Sequence, residues 1–208
     1  MKIKAFSFVF VLLTLLFTTG CGSDNTPKLG EQYQTLPVDL SEYNLAPVTE
    51  VFSLTCGHCR SMESVIPQLE TLTSEPIGKV HVTFNESARV AAMMYYTAEM
   101  QLGGTPPHDF MEELFAAVQL NDGSTLEEKQ VAIENVYKKY DIASPYQLDK
   151  EQQTALFALV AKASEISVKG QINSVPTFIV GGKYMILTSG HSSVEAMAET
   201  INYLNAQQ

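Results

Sequence analysis

The stretch Val48-Thr49-Glu50-Val51-Phe52-Ser53-Leu54-Thr55-Cys56-Gly57-His58-Cys59-Arg60-Ser61-Met62-Glu63-Ser64-Val65-Ile66 decides the fold. Residues 48–54 are almost continuously apolar or β-forming and read as a buried strand. Arg60 to Ile66 follow a helical pattern, so two thiols stand where a strand ends and a helix begins. Two intervening residues at a helix start bring the sulfurs of Cys56 and Cys59 within bonding reach. Cys56 lies at or just before the first turn, where unpaired N–H groups and the positive end of the helix dipole favour a thiolate. His58 adds a positive charge or a hydrogen-bond donor, and Gly57 keeps an N–H and loosens the turn. Cys59, about one turn further in, is expected to be less exposed. A division of labour follows: Cys56 attacks or is attacked, and Cys59 resolves the mixed disulfide.

Other uses of a Cys-x-x-Cys fit less well. A structural zinc site needs four ligands. The chain has three cysteines, and His81, His108 and His191 are scattered without metal spacing or a nameable partner. A c-type haem site needs His directly after the second cysteine, where Arg60 stands. A disulfide between residues three apart closes too small a loop to stabilise much. Redox catalysis is the best reading, with no metal and no cofactor.

The N-terminus reads as an export signal. Lys2 and Lys4 form a basic start, and Ala5 to Leu16 an apolar core too short to span a bilayer. Thr19-Gly20-Cys21 resembles a bacterial lipobox, with Thr18 in place of the usual leucine. Lipid on Cys21 accounts for the third cysteine and supplies a membrane anchor. Residues 21–30 then form a polar, turn-rich tether. By the same resemblance Gly22 favours the outer membrane, because retention signals at that position are usually acidic. Export places the chain in an oxidising compartment. Loss of the leader takes Lys and Arg from 13 to 11 against 23 acidic residues, a net charge near −12. That excludes nucleic acid as an expected partner.

About 180 residues remain after the tether, enough for one good core or a core with an insertion. Tyr33-Gln34-Thr35-Leu36 reads as an edge strand. After the first helix, which Pro67 is expected to kink or break, Glu75-Pro76-Ile77-Gly78 reads as a turn and residues 80–84 as a strand. From Ala88 to Ser167 the pattern is helical: one segment through Gln101, then 108–120, 126–140 and 150–166. Breaks fall at Gly103-Gly104-Thr105-Pro106-Pro107 and Asn121-Asp122-Gly123. Val175 to Val180, Gly181-Gly182 and Lys183 to Leu187 read as a hairpin with a type I′ or II′ turn. A last helix covers about 194–204. Met93, Met94 and Met100 read as core fillers, and Tyr95 and Tyr96 as packing. The organisation is a leader over 1–20, a tether over 21–30, an α/β part over 31–86, a helical insertion over 87–167 and a second α/β part over 168–208.

On the strand-CxxC-helix, the helical insertion and Val175-Pro176-Thr177 before a hairpin, residues 31–205 resemble the thioredoxin-fold DsbA family of bacterial thiol–disulfide oxidoreductases. The resemblance implies a cis Val175–Pro176 bond lying against the redox pair. It implies a buried acid at Glu50, six residues before Cys56, and its lysine partner at Lys79, together assisting proton transfer from Cys59. It also implies exported proteins with free thiols or disulfides as substrates and a DsbB-like membrane oxidase as partner. One departure is Gly57, where the strongly oxidising members carry Pro; Cys-Gly-His-Cys is also the pattern of eukaryotic disulfide isomerases. The expected activity is therefore an oxidase of the periplasm. The alternatives are an isomerase or reductase of the same fold, or a non-catalytic module that binds unfolded chains. No dimerisation segment precedes the fold, which favours a monomer.

Overall fold

The computed structural model describes residues 26–207. Five strands form one sheet: β1 (Tyr33–Thr35), β2 (Val48–Phe52), β3 (Ile77–His81), β4 (Thr177–Val180) and β5 (Tyr184–Ile186), in the order β1-β5-β4-β2-β3. β2 and β3 run parallel, and the other neighbours are antiparallel. β2 lies at the interior of the sheet with every residue buried, which is why its sequence is a near-continuous run rather than an alternation.

The helices are α1 (Gly57–Glu63), α2 (Ile66–Thr73), α3 (Glu86–Leu102), α4 (His108–Val118), α5 (Leu126–Lys139), α6 (Lys150–Lys169) and α7 (Val194–Asn205). Pro67 falls in the first turn of α2, where a missing N–H costs nothing; the helix after the redox motif is accordingly broken at Ser64-Val65. Sequence-encoded caps set the insertion's boundaries. The Asn85 side chain accepts the Ala88 N–H at 2.9 Å. Thr125 with Glu128 and Asp149 with Gln152 form capping boxes at the starts of α5 and α6.

α3 to α6 all lie between β3 and β4 in the chain. Their apolar faces join Val51, Val80 and Ile179 of the sheet in one large core that includes Cys59. α2 and α7 cover Val48, Phe178 and Val180 in a smaller core. The sheet is thus covered on both faces, a thioredoxin-type α/β architecture carrying a helical insertion.

One strand differs from its expected place. β3 spans Ile77–His81 instead of 80–84, and the segment 75–78 is not wholly a turn. Its register is dictated by β2, which pairs Val48 with Ile77 and Phe52 with His81. Beyond Phe52 the partner chain leaves for the redox loop, so Thr83 and Phe84 have nothing to pair with. Gly78 serves close approach here: a Cβ would stand 2.7 Å from the Ala46 Cβ. The expected strands 48–54, 175–180 and 183–187 are each shorter at their ends. In the hairpin both Gly181 (φ 57°) and Gly182 (φ 69°) are left-handed, as a type I′ turn demands, and the Lys183 N–H donates to the Val180 carbonyl at 3.1 Å.

Candidate active site

β2 delivers the chain to the redox motif. Cys56 is the N-cap residue of α1, in extended conformation, and its Sγ accepts the Cys59 N–H at 3.1 Å. The Cys56 thiol in turn faces the Val175 carbonyl at 3.7 Å, and the Val175–Pro176 peptide is cis. Cys56 is half-buried, whereas Cys59 is fully buried. Burial, reinforced by the neighbouring Cys56 and by the charge of Glu50, pushes the Cys59 thiol well above the ordinary range. Gly57 and His58 are exposed between them. A Cβ on Gly57 would meet nothing within 4 Å.

The loop carrying this pair is held from two sides. The Gln119 side chain, at the end of α4, donates to the Leu54 carbonyl at 2.8 Å and to the Cys56 carbonyl at 3.1 Å. His81, at the end of β3, accepts the Leu54 N–H through Nε2 at 2.8 Å and donates from Nδ1 to the Val82 carbonyl at 2.7 Å. Burial holds its pKa down, to about 4, so it sits neutral with the proton on Nδ1. His191 also has partners, the Leu187 carbonyl and Thr200.

Beneath the pair lies a cluster of charges. The β2–β3 register sets Glu50 beside Lys79, and the Lys79 ammonium contacts Glu50 Oε2 and, at 2.8 Å, Glu63 Oε2. All three side chains are 1 % exposed. Burial alone would discharge Lys79, but two carboxylates more than offset it and raise its pKa. One ammonium cannot compensate both acids, and burial lifts the Glu50 carboxyl above its usual range. Glu50 Oε1 has no hydrogen-bond partner among the described residues. Glu63 continues outward: its Oε1 meets His108 Nδ1 at 2.9 Å, and His108 Nε2 meets Glu70 Oε2 at 3.2 Å.

Sequence reasoning singled out Cys56, Gly57, His58, Cys59, Glu50, Lys79, Val175 and Pro176, and all of these fall around the redox loop or in the cluster beneath it. It missed Glu63, Gln119, His108 and Glu70. The signal for Glu63 was an acid in α1 at a buried position. Cys21 and the leader lie outside the described residues. Among the described residues no helix is long and apolar enough to cross a membrane, and no group of three acidic, His or Cys side chains is arranged to hold a metal.

Residues 44–203 match the family model described as Thioredoxin. A Pseudomonas aeruginosa protein named thiol:disulfide interchange protein DsbA is 24 % identical over 185 residues, covering 84 % of this chain and 82 % of its own. The crystal structure of the disulfide oxidoreductase DsbA from Proteus mirabilis superposes with a TM-score of 0.63 at 19 % identity, over 88 % of this chain and 98 % of that one. A second Proteus mirabilis DsbA structure, holding a non-covalently bound peptide, superposes at 0.60 with 19 % identity, over 87 % and 97 %. These structures share the fold. The chain belongs to the thioredoxin family and is a DsbA-like thiol:disulfide oxidoreductase.

Proposed function

We propose that the chain acts mainly as an oxidase, passing the Cys56–Cys59 disulfide to exported polypeptides that carry free thiols. The observation that carries this is the asymmetry of the two sulfurs: Cys56 is within reach of a partner and Cys59 is sealed in the core. A substrate thiolate attacks Cys56, the S–S bond breaks, and Cys59 leaves as a thiolate. Cys59 takes up a proton, for which its burial provides a strong drive. A second substrate thiolate then attacks the substrate sulfur of the mixed disulfide. Cys56 leaves, two electrons pass to the enzyme, and the substrate keeps the disulfide.

The Glu50–Lys79 pair supplies that proton in this reading. Support comes from the under-compensated Glu50 carboxyl and from its charge acting on Cys59. The Val175 carbonyl beside Cys56 offers a backbone edge on which an extended peptide can align; the related Proteus mirabilis protein holds a peptide non-covalently. The basic start, short apolar core and Cys21 support export to the periplasm and lipid anchoring, with the outer membrane favoured and a DsbB-like membrane oxidase as the electron acceptor. A second reading, a redox-neutral isomerase or a reductase that works in the opposite direction, is favoured by Gly57 in Cys-Gly-His-Cys.

Insulin-type exchange with cysteine variants tests the chemistry. Cys56→Ser is expected to abolish exchange, and Cys59→Ser to accumulate mixed disulfides visible by mass. A reduction potential measured against glutathione tests the direction. A potential near that of thioredoxin, about −270 mV, defeats the oxidase reading.

A further inference from the structure

Cys59 is fully buried, and a substrate joined to the half-buried Cys56 screens it further from solvent. A proton for Cys59 must then come from within the protein and be replaced from solvent somewhere else. The charged cluster has a second end. Glu63 reaches Lys79 with one carboxylate oxygen at 2.8 Å and His108 with the other at 2.9 Å. His108 is 34 % exposed and Glu70 29 %. They border a surface pocket shared with Thr105, Pro106, Pro107 and Ile77, which includes no residue of the redox loop or of the Val175–Pro176 segment. Glu70 is itself fixed, since its Oε1 accepts the Ile77 N–H at 2.9 Å.

We propose that His108, oriented by Glu70, is the solvent port of the proton path serving Cys59, and that Glu63 links this port to the Glu50–Lys79 pair. This rests on the redox reading above. As the S–S bond breaks, protonated Glu50, whose Oε1 has no protein partner among the described residues, passes its proton to the Cys59 sulfur through one intervening water. The Lys79 ammonium gives one to Glu50 and takes one back from Glu63. Glu63 has received it on its Oε1 side from the His108 imidazolium and carries it to the Oε2 side through a turn of its carboxyl. Water at the exposed edge of His108 restores the imidazolium. The net movement is one proton from solvent to sulfur, with every other group returned to its starting state. During disulfide re-formation the same path runs outward.

The charges facing His108 suit this task. Burial opposes its charged form, but Glu63 from α1 and Glu70 from α2 outweigh it and raise its pKa. Lys79 of β3 stands behind Glu63. The imidazole therefore stays protonatable at neutral pH while one nitrogen points inward. Its charge is also felt at the far end, where it lowers the Glu50 pKa.

The test is a single-turnover reaction of the oxidised, full-length protein with a cysteine-containing peptide, followed by stopped flow between pH 6 and 8. His108→Ala should slow the reaction by roughly tenfold at neutral pH, less than the roughly 10²–10⁴-fold of a group at the reacting atoms. Added imidazole should restore most of that rate. His108→Gln keeps hydrogen-bonding capacity toward Glu63 and Glu70 but carries no exchangeable acid, and it should stay slow with a flattened pH profile. His108→Gln reacting like the wild type overturns the port, and so do two slow variants that imidazole does not rescue. Should the alanine variant fail to fold, the glutamine variant alone decides. Wild-type protein that does not exchange with the peptide at all defeats the redox reading instead.

Discussion

Replacing Lys79 with Met removes the one cation between two buried carboxylates while keeping the length of the side chain. Lys79 contacts Glu50 Oε2 and lies 2.8 Å from Glu63 Oε2, with all three side chains 1 % exposed. Truncating one partner of such a buried group costs about 3–5 kcal/mol, because the remaining charges are left uncompensated. Against a total stability of about 5–15 kcal/mol for a domain, the variant is left marginal. The loss also carries a pH signature. Burial already raises the Glu50 carboxyl, and without the ammonium that opposes this its folded-state pKa rises further above the unfolded value. Stability from a group raised in this way is fully present below its unfolded pKa and is lost as pH rises through the folded one. Lys79→Met is therefore expected to approach the wild type near pH 4.5 and to fall furthest behind near pH 8.

Urea unfolding of the reduced proteins across that range checks this, followed by circular dichroism because the chain has no Trp. With a slope of about 2 kcal/mol per molar urea, the midpoint should drop by about 1.5–2.5 M at pH 8. The double variant Glu50→Gln/Lys79→Met should recover at least half of the loss. A deficit under about 1 kcal/mol, or one that grows toward acid, means that Lys79 is not the buried counter-ion described here.

His81 gives the wild type a different acid response. A base whose folded pKa is depressed, from 6.5 to about 4, loses stability as pH falls through that window, by about 3 kcal/mol at one pKa unit per 1.36 kcal/mol; His81→Leu should remove this slope in the same urea experiment. Gly57→Pro should fold and gain about 0.4–1 kcal/mol by thermal unfolding, because Gly57 is the first residue of α1 and a Cβ there meets nothing. His58→Ala should be a weaker oxidant in glutathione equilibration, with about 30 mV for each 1.4 kcal/mol removed; an unchanged potential assigns thiolate stabilisation to the backbone alone. Cys21→Ser should leave membrane pellets without loss of exchange, and an unmodified Cys21 by intact mass defeats the lipid anchor.

What was legible in the sequence was local or periodic. The strand-CxxC-helix, the capped insertion helices and the Gly181-Gly182 hairpin each follow from neighbours within a few positions. Glu50 could be singled out because an acid in an otherwise apolar strand is costly without a partner. The register between β2 and β3 then brings Lys79 beside it across 29 positions. The start of β3 was misread because Pro76 and Gly78 are turn signals in isolation, whereas here Gly78 makes room for Ala46. His108 and Gln119 carry no local signature at all, and Glu63 is marked only by its place on α1, four residues after Cys59. His108 begins an amphipathic helix as any polar residue could, and it meets Glu63 across 45 positions only because α1 packs on α4.

The shape of the charged cluster argues that stability alone does not explain it. One buried ammonium facing one carboxylate would be neutral, and well-packed apolar residues in their place would often cost less still. Two carboxylates on one ammonium would leave an excess negative charge in the interior, and burial instead drives Glu50, whose Oε1 has no hydrogen-bond partner among the described residues, toward its protonated form. A carboxyl of that kind is a place to hold one proton. It sits where its charge acts on Cys59, a group whose protonation state must change twice in every exchange cycle. The second carboxylate, Glu63, is what turns this holding place into a path. Lys79 alone would end the network in the core, whereas Glu63 spends its other oxygen on a histidine that water can reach.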